Sequence, residues 1–425
     1  MGQPIVCYIK NNHFKWQLVP AQGDEVVISS NNQIIVDQTA FCKSLNVVAN
    51  ASLKIAPSVT LNLNGNLLLD GVFDFNGGNV EQLSVNAALN VGANGVLIWN
   101  PGNNTVSGAT LLTRSIENFK ATSTLVISKW YAYASVPLGS VISGDFGNVT
   151  INTQVGNTLF EWNQNNEFEQ HQIKGTLTID NGWVVLDKSG SISETKIGGI
   201  ILSNMNSVLE FHSGSHPSSF RVITDSIANN GGELNGILNG NGNIELIVNK
   251  GFLNMGNVEL IYNAGVLNIG NGNAKLYVGG LFKQTHGDFR GVFNLSSTSA
   301  GKVELDIHSF NMTGGLFFAF YGCNAIGSMN LVLIRNTFTL NLTNASDKFR
   351  INGLTTLMGQ YSKARSLFQV KGDAFLGGNA SAEFTSSGSI GVEDNIFFGN
   401  VTIAGLNNNF NYGSHAVTIK VMGSM

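Results

Sequence analysis

A short repeat in the middle of the chain restricts the fold more than any other feature. From Gly242 the sequence reads GNIELIV, from Gly256 GNVELIY and from Gly272 GNAKLYV, and each piece is followed by a second short apolar run, GFLNM, GVLNIG or GGLF. The two steps, Gly242 to Gly256 and Gly256 to Gly272, are short and slightly unequal. A unit this short cannot bury an apolar face by itself and must stack on its neighbours, which is how a solenoid is built. Within the first unit the residues alternate: Ile244, Leu246 and Val248 fall on one side of an extended strand, and Asn243, Glu245 and Ile247 on the other. Asn and Gly punctuate the ends, at 249–251, 263–265 and 270–272, where a tight corner needs the positive φ that these residues tolerate.

The same grammar recurs in TLNLNGNLLLDGVFDFNGG (60–78), LSVNAALNVGANGVLIW (83–99), GTLTIDNGWVVLD (175–187), and in FGNVTI and FFGNVTI from Phe146 and Phe397. Most of the chain is therefore expected to be one all-β stack of parallel strands. Like residues at like positions, Asn243 with Asn257 and Asn273 and Leu246 with Leu260 and Leu276, would then lie above one another about 4.8 Å apart. A full coil is expected to take roughly 20 to 25 residues, so the shorter steps between Gly242, Gly256 and Gly272 mark either a tight stretch or two similar strands within one coil. Asn-Gly pairs between alternating strands are also a hairpin signal, and an antiparallel sandwich or barrel is the alternative.

Composition agrees with strands joined by corners. The 425 residues include 50 Gly and, by count, 55 Asn, with only 6 Pro. Gly and Asn disfavour helix interiors. Apolar residues at 43% and a net charge of −4 mean a chain that buries a core rather than a disordered tract. Charged residues make up only 12%, without a basic block, so no nucleic-acid partner is expected. No apolar run is long enough to span a bilayer as a helix, so no membrane insertion is expected. Cys7, Cys42 and Cys323 are too few and too widely spaced for a disulfide framework or a CxxC metal motif, and read as isolated thiols. The opening MGQPIVCYIK has neither the basic nor the apolar region of a signal peptide.

Three stretches depart from the grammar. Residues 1–23, with Pro4, Trp16 and Pro20, are expected to cap the first coil of a solenoid spanning 24–425. Residues 120–144 cluster Trp130, Tyr131, Tyr133 and Pro137, and read as a loop insertion or a seam between two stacks. Residues 160–174 are rich in carboxylates, Gln and Asn, and read as a solvated excursion.

The run from Gly23 to Gly78 resembles the repeat that opens large secreted surface proteins of Bacteroidota-type bacteria. In that repeat a GD-x-V-x-I strand, a V-x-V-D strand, a C-x-S-L-x-V strand and an A-x-L-x-I strand lead into L-x-V-x-G-N-L. Asp24, Val36, Asp37, Cys42, Ser44, Leu45, Gly65 and Asn66 fall on this pattern, and the FGNVTI pieces look like its F-x-N-L-T-I strand. The likeness is good as far as Gly78 and only patternwise beyond it. It implies a right-handed parallel β-helix in an exported, often adhesive, protein. Unlike the family, the sequence is expected to carry neither a signal peptide nor a C-terminal sorting domain after Val417. Phage appendage proteins use similar rods without signals.

Chemistry is sparse. Glu245 and Glu259, with Lys275 at the third repeat, read as an outward Glu, Glu, Lys ladder. If the chain is an enzyme, the candidates are His286, Asp288 and Arg290 in QTHGDFR, the densest mix of base, acid and cation. Glu210, His212 and His216 lack the helical setting that would make HxxxH a metal motif, and no metal site is assigned. No cofactor is called for; Ca²⁺ is the one ion that Glu161, Glu167, Glu169 and nearby Asn oxygens in the excursion would suit, although no DxDxDG loop supports it. Exposed aromatics are the other functional element, because ring faces stack on sugars. Trp130, Tyr131, Tyr133 and Trp162 are the candidate ligand-binding residues, followed by Trp99 and Trp183.

The function expected from the sequence is therefore a non-enzymatic surface or appendage protein, a stalk or adhesin with a glycan or host cell surface as partner. Two alternatives stand beside it: a polysaccharide lyase or glycoside hydrolase on a β-helix, and a phage virion fibre or tail protein. The expected location is extracellular, on a cell or virion surface.

Overall fold

The computed structural model describes residues 5–7, 20–82, 87–102, 116–129, 145–153, 159–161, 172–187, 194–213, 219–238, 243–263, 273–294, 303–322, 329–344, 346–353, 365–378, 381–383, 394–404 and 418–425. Its regular elements are all β-strands, and they stack in parallel as a β-solenoid. Among the described residues the named strands pair in parallel and not as antiparallel hairpins. The chain divides into two compact units, Met1–Val184 with Lys196–Gly198, and Val185–Thr195 with Gly199–Met425.

In the first unit each of the early coils has three short strands. Glu25–Ile28, Gln33–Val36 and Ala40–Cys42 form one coil, and Ser44–Val47, Ser52–Ile55 and Thr60–Leu63 form the next. Glu25 pairs with Ser44 and Gln33 with Ser52, so these circuits are short and equal; Val96 pairs with Thr124, a longer circuit. Alternate residues point inward and stack: Leu53, Phe73, Leu97, Leu125, Val149 and Leu177 form one continuous buried column. Burying such a side chain is worth about 1.5–3 kcal/mol, and the column repeats that gain once per coil. Asn31 and Asn50 make corners at φ 64° and 63°, and the Asn31 N–H donates to the Asn50 carbonyl at 3.1 Å, so successive corners stack as the strands do. Cys42 lies in this interior, its thiol pushed up to about 12 by burial. Of the expected cap, Ile5–Cys7 adds a parallel strand to Glu25–Ile28. Most of the remainder of 1–23, and residues 130–144 of the expected insertion, lie outside the described residues.

In the second unit a coil is built from a long strand and a shorter one. Ser219–Asn229 is followed by Glu233–Leu238, Asn243–Asn254 by Asn257–Asn263, Ala274–Gln284 by Asp288–Asn294, and Val303–Met312 by Leu316–Gly322. This resolves the repeat. GNIELIV and GNAKLYV open successive long strands, whereas GNVELIY is the short strand between them, on the other face of the coil. Ile244 pairs with Ala274 and Leu246 stacks on Leu276, while Leu260 belongs to the second face. Circuit length varies: Ser219 pairs with Asn243 across a short circuit, and Met329 with Arg365 across a much longer one. The second face carries seven strands among the described residues, from Ser207–Ser213 to Ser381–Glu383.

Two interior features hold these coils in register. Asn229, Asn254 and Gln284 end successive long strands, pair with one another and are fully buried. Their amides satisfy the corner backbone: Asn229 Nδ2 donates to Asn254 Oδ1 at 3.2 Å and to the Asn257 carbonyl at 3.1 Å, and Gln284 Nε2 donates to the carbonyls of Gly287 and Leu316 at 3.0 and 2.9 Å. On either side of the corner, phenylalanines stack in two columns. Phe282, Phe310 and Phe338 line one face with centroids 5.4 and 5.3 Å apart, and Phe289, Phe317 and Phe349 line the other at 4.7 and 5.1 Å. The columns meet edge to face, as at Phe310 and Phe317, 5.0 Å apart, a geometry that aromatic quadrupoles favour.

Candidate functional site

One column on the outward side of the long strands in the second unit carries a charged residue at each coil. Register places Arg221 beside Glu245, Glu245 beside Lys275, and Lys275 beside Glu304. Arg221 Nη1 reaches Glu194 Oε2 at 3.3 Å and its Nε reaches Glu245 Oε2 at 2.6 Å. Lys275 Nζ stands 3.6 Å from Glu245 Oε1 and 3.7 Å from Glu304 Oε1. The ladder thus alternates acid, base, acid, base, acid. Cross-strand pairs of opposite charge favour a stack where like charges would oppose it. Hydrogen bonds and attraction from Glu245 and Glu194 raise the Arg221 pKa further above its ordinary value.

A second polar column runs beside the first. Asn243 Nδ2 donates to Ser219 Oγ at 3.1 Å, and Asn273 Nδ2 donates to Asn243 Oδ1 at 2.8 Å. The two columns line a groove of about 750 Å³, bounded by Glu194 and Ser219 at one end and Lys275 and Glu304 at the other. This corrects the expected Glu, Glu, Lys ladder. Glu245 and Lys275 do stack, but Glu259 lies on the other face, and the remaining partners are Arg221, Glu194 and Glu304. The full step from Ile244 to Ala274, which passes over GNVELIY, is the signal that separates the two faces.

Glu259 instead joins two of the three residues marked as candidate catalysts. Arg290 Nη1 donates to Glu259 Oε1 at 2.7 Å and Nη2 to Asp288 Oδ2 at 2.8 Å. Glu233 and Asn235 lie on the adjoining strand, where Asn235 Nδ2 donates to Glu233 Oε1 at 2.8 Å. Glu210 stands one strand further on, fully buried. His286 is exposed at the corner, with Nδ1 3.2 Å from Thr285 Oγ1. Burial raises the Glu259 pKa above the ordinary carboxyl value, outweighing Arg290, while Glu233 and Asp288 push the same way.

That shift predicts a pH dependence. Between the ordinary value of about 4.5 and the raised native value, the folded state binds more protons at Glu259 than the unfolded state does. This contribution to stability is therefore largest below about 4.5 and is lost as pH rises through the native value. Glu259→Gln removes the dependence. Urea midpoints of the two proteins, measured from pH 4 to 8, should diverge in favour of the variant as pH rises; parallel curves would show that Glu259 is not perturbed.

The aromatic candidates fare differently. Trp99 is 4% exposed and packs on Phe75 with centroids 5.0 Å apart, so it is a core residue rather than a ligand platform. Trp183 is half-buried. Trp130, Tyr131, Tyr133 and Trp162 lie outside the described residues, as do Glu167, Glu169 and His216. Among the described residues no three His, Cys, Asp or Glu side chains converge to hold a metal ion, and no helix is long and apolar enough to cross a membrane.

No family model, curated protein or solved structure matches the chain.

Proposed function

We propose that this chain is a non-enzymatic surface or appendage module, a stalk or adhesin that presents a polar face of its solenoid to glycan outside the cell or on a virion. The likeness of residues 23–78 to exported Bacteroidota-type repeat proteins points the same way. The observation that carries the reading is the ladder from Glu194 to Glu304, in which each cation sits between carboxylates of neighbouring coils. Its charges offset one another from coil to coil, which suits a recognition face better than an acid–base centre, where one group must stay poised to exchange a proton. The test is retention of the full chain on surfaces coated with purified polysaccharides and on intact host cells, with reducing ends counted in parallel. Retention without release of reducing ends is expected; failure to bind any of these surfaces, or steady release of ends, removes the reading.

A second reading has one observation in its favour. Glu259, its pKa raised by burial, and Asp288 share Arg290, and two carboxyl groups facing one site serve as acid and base in glycoside cleavage. Release of reducing ends or unsaturated sugars that vanishes in Asp288→Asn would establish it in place of the first.

A further inference from the structure

We propose that the groove between Glu194 and Glu304 is the glycan seat, that its ligand is a linear, neutral, hydroxyl-rich oligosaccharide lying along the stacking direction of the second unit, and that Lys275 is its central contact. The inference rests on the adhesin reading and names that reading's site and ligand class.

The two halves of the charge ladder are not alike. On one side of Glu245 the ladder is closed, with Arg221 Nε 2.6 Å from Glu245 Oε2 and Nη1 3.3 Å from Glu194 Oε2. On the other side Lys275 Nζ stands 3.6 Å from Glu245 and 3.7 Å from Glu304, near enough for attraction and too far for a hydrogen bond. The ammonium has three N–H donors, and each carboxylate oxygen it faces can accept. Each gap therefore suits a group that accepts from nitrogen and donates to oxygen at once, and a sugar hydroxyl does both.

Charge narrows the class further. A chain with one sign of charge on every sugar would meet a like charge at alternate coils, since Glu194, Glu245 and Glu304 alternate with Arg221 and Lys275, whereas a neutral chain meets no such repulsion. Direction follows from the fold. Polar side chains recur once per coil, about 4.8 Å apart, and the amides of Asn243 and Asn273 run parallel to the charges. An extended polymer along that axis would meet the same pair of columns at each step. The groove, at about 750 Å³, lies within the roughly 300–1,000 Å³ of small-ligand sites.

The experiment is calorimetric titration of the full chain with neutral hexasaccharides (β-1,4-glucan, α-1,4-glucan and β-1,4-mannan), with an oligogalacturonate and with a chitosan oligomer. At least one neutral hexamer should bind, the acidic and cationic ones more weakly, and Lys275→Met and Glu304→Gln should each weaken the neutral hexamer at least tenfold. Lys283→Met, on the same strand and outside the groove, should leave affinity unchanged. Urea midpoints check that each variant folds. Unchanged affinity in both groove variants, or preference for the acidic oligomer, overturns the assignment. If no hexamer binds while the chain is still retained on polysaccharide-coated surfaces, the groove is wrong and the adhesin reading survives. If the chain is retained on none of them, both fall.

Discussion

Phe310→Ala is expected to lower the stability of the second unit by about 3–5 kcal/mol, the range for removing a fully packed aromatic. Phe310 is 1% exposed and stacks between Phe282 and Phe338 on its own face while meeting Phe317 and Phe349 edge to face. Truncation leaves a cavity shared by three successive coils. A stacked array gains stability mainly from interfaces between neighbouring repeats, so one hole weakens two interfaces at once. Leu281→Ala is the matched control: Leu281 is 43% exposed on the coil before, and its loss should cost no more than about 0.5 kcal/mol. Urea denaturation followed by near-ultraviolet circular dichroism reads both. A cost below about 1 kcal/mol for Phe310→Ala, well under the usual range, would mean that the aromatic columns do not hold the stack.

Gly287→Ala should be strongly destabilising for a single added methyl. Gly287 has φ 69°, in the left-handed region, and a Cβ there would overlap the backbone carbonyl of Gly256 in the coil before. The conformation costs an L-residue about 1–2 kcal/mol. The overlap adds about 1–3 kcal/mol, because backbone on the adjoining coil must move. The corner is also where Gln284 Nε2 donates to the Gly287 carbonyl at 3.0 Å, so displacement strains the buried amide as well. Gly251→Ala provides the contrast: the nearest atom its Cβ would meet is the Leu281 carbonyl oxygen at 3.5 Å, ordinary contact, and the change should be tolerated. Equal midpoints for the two variants would show that the corners are looser than their geometry.

How much of this was legible depended on whether the information was local. The inward set Ile244, Leu246 and Val248 is fully buried, as alternation alone predicts, because a strand has only two sides. The Asn and Gly corners follow equally directly, since few residues accept positive φ. The buried run Asn229, Asn254 and Gln284 was not legible. Asparagine is so common here that one more at a strand end carries no mark, and only the stacking of three such ends shows that they face inward. The pairing of Asp288 with Arg290 is visible from their closeness in the chain, yet their partner Glu259 reads from the sequence as part of a different ladder.

The amino-acid order alone points to a chain of strands and corners whose strands lie on one another in parallel, because alternation and turn chemistry act over a few positions. Which side chains become neighbours from coil to coil is another matter. It depends on which strand lies alongside one full circuit later, and in the second unit that circuit ranges from the short one between Ser219 and Asn243 to the long one between Met329 and Arg365. Glu245 consequently meets Arg221 on the coil before and Lys275 on the coil after, rather than Glu259, which is nearer in the chain but sits on the other face of its own coil. Connections of quite different length bring strands of the same inward pattern into register, and that register builds the groove.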